Sequence, residues 1–199
     1  MAGFQVLMFS FFINLISMNF QELILKRQSV RKFDKFRPIE EEKIFRILEA
    51  GRLAPSASNS QPWTFVAIKE PKLCQSIAKA TFTTLVNFNK FAVNSTFFVV
   101  IVVEKSKIIA QIGGAIKKRN YPLIDIGIAA ENMCLQAEED GVGSCMLGWF
   151  DENKIKELLQ IPKEKFIGLV IPFGYAAVNY PLRKKVRKPL EKVVRWNKY

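Results

Sequence analysis

The order of apolar and polar positions divides the chain into helices and strands before any motif is considered. Asn19 is a good helix N-cap, and the amphipathic stretch FQELILKRQ after it predicts a helix over residues 19–27. A basic segment covers 26–37. Pro38 and Ile39 then open a helix over 40–53, whose acidic first turn suits the helix dipole and whose Ile44, Ile47, Leu48 and Leu53 form an apolar stripe. A loop rich in Ser, Asn and Pro follows over 55–62, and WTFVAIK at 63–69 alternates as a strand does. Residues 71–80 read as a helix and 81–94 as another. TFFVVIVV at 96–103 is a continuous run of β-branched and aromatic residues, as in a strand buried on both faces. Residues 104–120, with two glycines and mixed polarity, define no element. Residues 122–140 predict a long helix with Ile124, Ile128, Met133, Leu135 and Ala137 turned inward, closed by Gly141 at C′. Residues 143–148 fit a strand or a glycine-bounded loop. Asp151 caps a short helix ending at 159, and 166–173 is a second buried strand. From 179 the chain turns Pro-rich and basic and ends in the strand-like LEKVV.

Helices and strands alternate irregularly, without a repeat or a break in composition. The expectation is one α+β domain over 18–199 around a mixed sheet. Its last twenty residues have little apolar content to fold alone, so they are expected on another surface, with a partner subunit the natural candidate. Residues 1–17 carry no charged side chain. They lack the basic start and small-residue cleavage site of a signal peptide, and fall short of the ~20 apolar residues of a membrane span. The reading preferred here is an over-called start, with Met18 as the natural first residue. A membrane anchor and an ordered apolar arm are the alternatives.

Composition narrows the chemistry. The 199 residues are 49% hydrophobic and 12% aromatic, which suits a packed core and excludes a low-complexity chain. There is no histidine, so Ser-His-Asp and Cys-His catalysis, histidine metal ligands and imidazole shuttles are all excluded. Cys74, Cys134 and Cys145 lie far apart, and neither a metal site nor a disulfide framework is indicated. Reactivity must then come from carboxylates or from a bound cofactor. The formal charge of +12 asks for an anionic partner. It is concentrated: residues 26–37 hold six Lys+Arg against one acid and 183–199 hold eight against one, surpluses that together equal the whole +12.

Three segments have candidate chemistry, and each also has an ordinary structural reading. Arg27-Gln28-Ser29-Val30-Arg31 offers two guanidiniums and a hydroxyl that can enclose a phosphate, or it is a solvated basic turn. Pro55-Ser56-Ala57-Ser58-Asn59-Ser60-Gln61-Pro62-Trp63 presents two side-chain amides between prolines. An amide both donates and accepts, matching the edge of a pyrimidine-like ring, yet the stretch also serves as a plain connection. Trp63 itself is better read as core. Arg183-Lys184-Lys185-Val186-Arg187-Lys188 is a solvated tail or an anion-binding patch, with no interleaved aromatic to stack bases. Gly141-Val142-Gly143-Ser144 follows a helix rather than a strand and lacks a third glycine, so a dinucleotide fingerprint is discarded. Asp125, Glu131, Glu138 and Glu139 sit on the long helix, the last two read as a solvated face.

Taken in order, KRQSVRKF, APSASNSQPW, IDIGIAAENMCLQAEEDGVGSCMLGWF and the basic stretch closing in RKPLEKVV resemble the nitroreductase-like family of FMN-dependent oxidoreductases. The similarity runs from Met18 to about Trp196. It implies an α+β fold around a mixed, mainly antiparallel sheet flanked by helices. It also implies an intertwined homodimer with an exchanged C-terminal segment and two FMN sites at the interface. By that resemblance Arg27, Ser29 and Arg31 match the phosphate and ribityl side of a site, Gln28 a position touching the ring or ribityl chain, and Lys185 and Arg187 the basic residues closing on the phosphate. Pro55, Ser56, Ser58, Asn59 and Gln61 match the loop given by the other subunit. Leu147 and Gly148 match the stretch whose backbone nears the isoalloxazine.

The implied activity is transfer of hydride or electrons from NAD(P)H through FMN to a nitroaromatic, quinone or similar small acceptor. The flavin performs the redox step, so no side-chain acid or base is obligatory. A cytoplasmic homodimer is expected, with no nucleic-acid partner, no membrane and no metal. Two other readings remain open: a flavin-binding protein without turnover, and a basic module binding nucleic acid or a membrane surface.

Overall fold

The structure is a computed structural model describing residues 19–106 and 119–199. The apolar leader and most of the unassigned 104–120 stretch lie outside the described residues. The first helix, α1 (Phe20–Lys26), begins as expected, with Asn19 Oδ1 accepting the Glu22 N–H at 3.0 Å. Then come α2 (Glu41–Arg52), β1 (Trp63–Ile68), α3 (Pro71–Lys79), β2 (Phe97–Val103), α4 (Tyr121–Glu139), β3 (Gly143–Ser144), α5 (Glu152–Leu159) and β4 (Phe166–Gly174). Capping follows the sequence signals. Glu70 closes the first turn of α3 ahead of Pro71, and Asp151 Oδ1 accepts the Lys154 N–H at 2.9 Å in α5. Gly141, just past α4, takes φ +71°, which glycine adopts without steric cost.

The four strands form one antiparallel sheet in the order β1-β2-β4-β3. The parallel element of the expected mixed sheet is a single bridge, Ser29 to Ser144, at the β3 edge. Strand β2 lies in the interior of the sheet and is buried on both faces, as its unbroken apolar run predicts. On one face Val99 and Ile101 pack with Ile47 of α2 and Ala129, Ala130 and Met133 of α4. On the other, Phe98 and Val100 pack with Ile77 and Ala78 of α3 and Ile155 of α5. Among the described residues no helix is long and apolar enough to cross a membrane.

Three expectations are corrected. Residues 81–94 are not a helix but turns followed by a 3₁₀ segment, Lys90–Asn94. The competing bonds are two local ones and one distant one: Thr81 Oγ1 donates to the Ala78 carbonyl at 2.7 Å, and Asn89 Nδ2 donates to the carbonyls of Thr81 and of the remote Trp149. LEKVV is not a strand, since Leu190–Lys192 form a 3₁₀ turn after Pro189 with no strand edge beside them. In α4, Met133 and Ala137 are buried, Leu135 is half-buried, and Ile124 and Ile128 are exposed. The inward face instead holds Asp125, Ile126, Ala129, Ala130, Met133, Cys134 and Ala137. Apolar residues surround the first turns of this helix, so its sequence leaves the buried face undefined.

Candidate functional site

The first and third basic segments meet. Arg27, Gln28 and Ser29 leave α1 and line a cleft of about 290 Å³ whose other wall is Arg183, Lys184, Lys185, Val186 and Arg187. Segment 27–31 is fixed to the sheet, with the Val30 N–H donating to the Ser144 carbonyl at 2.9 Å and Val30 buried against Gly143. The tail is fixed to the segment in turn. Gln28 Nε2 donates to the Pro181 carbonyl at 3.2 Å, and its Oε1 accepts the Arg183 N–H at 3.1 Å. Arg183 Nη2 donates to the Ser29 carbonyl and Lys185 Nζ to the Arg27 carbonyl. Tyr180 Oη accepts the Arg31 N–H at 3.0 Å.

Five cations and no acid line this cleft. Burial lowers the Lys185 pKa, and Arg27, Arg187 and Arg183 lower it further, against the opposing pull of Glu138. Such a cluster is stabilised by an arriving anion. A phosphate suits it, since guanidinium forks and an ammonium offer strong charge-assisted donors. Of the residues expected here, Arg27, Gln28, Ser29, Lys185 and Arg187 line the cleft, while Arg31 is an exposed neighbour. Gln28 uses both ends of its amide to hold the tail.

The second segment lies elsewhere: Pro55, Ser56, Ser58, Asn59 and Gln61 are absent from the cleft wall. The loop is tightly wound, with Ser58, Asn59 and Gln61 in the left-handed region at φ 53°, 50° and 48°. Non-glycine residues there cost about 1–3 kcal/mol each and persist only where surroundings impose them. Ser56 Oγ accepts the Gln61 N–H at 2.8 Å, and Gln61 Nε2 donates to Asn59 Oδ1 at 2.9 Å. That pairing uses one donor and one acceptor of the two exposed amides and leaves Asn59 Nδ2 as a donor and Gln61 Oε1 as an acceptor. The base of the loop rests on Asp125, whose carboxylate oxygens each accept the Ala57 N–H at 3.2 Å. In the third region, Leu147 is buried and exchanges backbone bonds with Val170, whereas Gly148 is exposed, with nothing within 4 Å of where a Cβ would stand. Trp63 is core, stacked on Phe65 at 5.9 Å.

The model of the nitroreductase family matches residues 24–175. The chain belongs to the nitroreductase family. Among solved structures, a nitroreductase family protein of Clostridium novyi is 30% identical, with a TM-score of 0.71 over 84% of this chain and 89% of that one. An FMN-dependent nitroreductase of Clostridium difficile is 25% identical, with a TM-score of 0.70 over 89% and 98%. An oxygen-insensitive NADPH nitroreductase of Helicobacter acinonychis is 26% identical, the alignment covering 88% of this chain and 95% of that one. The expected family and α+β fold are thereby borne out.

Within this nitroreductase-family chain, two residues important to the site carried no motif of their own. Asp125 is buried, and that burial raises its carboxyl pKa despite the Ala57 N–H that favours its ionised form. Glu131 Oε1 accepts from Arg27 Nε at 3.1 Å and forms an ion pair with Nη2 at 3.0 Å. The only signal for either was an acid inside an otherwise apolar helix. Glu138 and Glu139 are half-buried rather than on a solvated face, and burial raises the Glu138 pKa against the pull of Lys185, Lys26 and Arg27.

Proposed function

We propose that this chain is an FMN-dependent NAD(P)H oxidoreductase acting on a nitroaromatic, quinone or similar small acceptor. It works as a cytoplasmic homodimer whose two sites each draw on both subunits. The observation that carries the reading is the five-cation cleft joining segment 27–29 to the tail, within a chain of this family. The donor set fits the flavin phosphate, and the exposed Gly148 leaves its backbone open to a planar ring. The relative named as an NADPH nitroreductase and the neighbour named as FMN-dependent support the same cofactor pair. The flavin-binding domain in this reading is residues 18–199.

FMN, when bound, would supply the redox chemistry, two-electron hydride transfer between NAD(P)H and the acceptor. The chain's residues bind and orient. Arg27, Ser29, Arg31, Lys185 and Arg187 hold the phosphate and ribityl side, while Gln28 and Arg183 keep the tail against them. Pro55, Ser56, Ser58, Asn59 and Gln61 of a second copy, with Leu147 and Gly148, would hold the flavin ring, the Asn59 and Gln61 amides offering it both donors and acceptors. Separation of the loop from the cleft within one chain supports that division between subunits. The three cysteines are free and buried, which suits a reducing compartment.

The test is spectroscopic. Purified protein is expected to be yellow, to release FMN on heating, to bleach with NADH or NADPH under anaerobic conditions, and to regain colour with menadione or a nitroaromatic. Colourless protein that binds no added FMN refutes the reading. A flavin that stays oxidised with both nucleotides leaves binding without turnover.

A further inference from the structure

Arg27 has two edges, and the structure uses one of them. Its Nε–H donates to Glu131 Oε1 at 3.1 Å, and Nη2 stands 3.0 Å from the same oxygen as an ion pair. A guanidinium carries five N–H donors in a rigid plane, so both Nη1 donors and the second Nη2 donor are left at the far end. That remaining fork has the spacing that grips a phosphate through two oxygens. Glu131 lies on α4 and forms no part of the cleft wall, whereas Arg27 does. The carboxylate therefore approaches the guanidinium from the helix side.

We propose that Glu131 is a positioning residue for anion binding: it anchors Arg27 by the Nε–Nη2 edge and directs the free Nη1–Nη2 fork into the cleft. This rests on the cofactor reading above. Glu131 also offsets part of the repulsion among the cleft cations without entering the space an anion would fill. Structural stability alone is a poor explanation of the pair, since its side chains are 29% and 38% exposed and such ion pairs add little to folding. Arg27 is the C-cap of the short helix α1, and its side chain reaches from there to Glu131 on α4.

The experiment compares FMN with riboflavin, which has the same ring and ribityl chain but no phosphate. Affinities are measured by fluorescence titration of the full chain stripped of flavin. Glu131→Ala should weaken FMN about tenfold, the loss of one well-placed charge-assisted contact, and leave riboflavin unchanged. Glu131→Gln keeps an oxygen that accepts both Arg27 donors, so it should recover most of that loss. Arg27→Ala should weaken FMN at least as much, and the double variant should be no worse than Arg27→Ala, because Glu131 acts through Arg27. Equal weakening of FMN and riboflavin, unchanged FMN affinity in Glu131→Ala, or additive losses in the double variant would each overturn the proposal. If Glu131→Ala does not fold, Glu131→Gln and Glu131→Leu provide the same comparison. Wild-type protein that binds neither flavin overturns the cofactor reading itself. Wild-type protein that binds both equally leaves that reading standing and overturns the phosphate placement, and Glu131's role with it.

Discussion

Substitution of Gly143 by alanine tests how segment 27–31 is attached to the sheet. A Cβ at this position would stand 2.7 Å from Val30 Cγ2, 2.9 Å from Val30 Cβ and 3.1 Å from Val30 Cγ1. Comfortable carbon–carbon contact begins at about 3.5 Å. Rotating the valine about χ1 moves its methyls but not its Cβ, so side-chain motion cannot clear the 2.9 Å approach. The backbone of segment 27–31 must shift by several tenths of an ångström. That segment is held by the 2.9 Å bond from the Val30 N–H to the Ser144 carbonyl, and Val30 is only 3% exposed. Overpacking of a core contact of this kind costs about 1–3 kcal/mol, and the immobile Cβ places this case in the upper half.

The compensating substitution is Val30→Ala. Alone it removes two buried methyl groups and costs roughly 2 kcal/mol in transfer and cavity terms. Combined with Gly143→Ala it also removes the 2.7 and 3.1 Å contacts and leaves the 2.9 Å one. The double variant should therefore be about 1 kcal/mol more stable than the sum of the singles. Urea denaturation of the three variants and wild type gives all four free energies. Gly143→Ala is also expected to lose FMN in parallel, because Arg27, Ser29 and Arg31 move with Val30. Singles that add to within about 0.5 kcal/mol would refute the assigned contact. Full stability in Gly143→Ala would refute the packing at β3 altogether.

Two further outcomes follow from buried and paired carboxylates. Asp125→Ala should free the 57–61 loop, with a loss of about 1–3 kcal/mol and faster amide exchange there. Asp125→Asn keeps an acceptor for Ala57 and removes a group whose raised pKa makes stability highest below the ordinary value of 3.8, falling as pH rises through the folded value. The asparagine variant should thus match or exceed wild type at pH 7, and equal exchange rates in both variants would contradict the assigned role. The Tyr175 hydroxyl donates to Glu40, and with the Glu40 backbone N–H and Lys43 it holds that carboxyl down to about 2. A depressed carboxyl stabilises the fold above its ordinary 4.5 and loses that contribution as pH falls toward 2. Glu40 is 55% exposed, so after screening the effect is under ~1 kcal/mol. Thermal melts of Tyr175→Phe should fall less than wild type between about pH 5 and pH 2.5, and parallel curves would exclude the contact.

Periodicity was enough for the elements that depend on local signals. Asn19, Glu70–Pro71, Asp151 and Gly141 each mark a helix boundary by the chemistry of one side chain or one φ angle. The run at 96–103 announced a strand buried on both faces because no polar residue interrupts it. Failures occurred where tertiary partners decide. Asn89 Nδ2 donates to the carbonyl of Trp149, sixty residues away in sequence, and no local pattern encodes that bond. The buried face of α4 could not be phased while Leu123, Ile124, Ile126 and Ile128 all looked alike. In the site, charge density pointed to segments 26–37 and 183–199, and the cleft between them follows from it. The ordered motifs supplied the family. The anchoring of Gln28 on the tail was not legible, because an amide reads equally well as ligand contact or structural clamp.

The polar residues of α4 explain how a loop and a turn can carry a site of fixed geometry. A buried polar group is costly when left unpaired, and three polar side chains of α4 find partners on other elements, whereas Glu139 Oε2 is buried without one. Asp125 meets the backbone of loop 55–62, Glu131 meets Arg27, and Asn132 donates to the Ala50 carbonyl at 3.3 Å in α2. Two of these three partners belong to segments proposed to contact the flavin. Asp125 and Glu131 are six residues apart, about 9 Å along the axis, so one rigid element sets the separation of their two attachment points. Moving α4 would disturb the cation cleft and the amide loop together. If the loop serves the neighbouring subunit's site, each α4 joins one chain's share of both sites. Core substitutions on its buried face, such as at Met133 against Gly51 of α2, should then perturb flavin binding without touching a flavin contact.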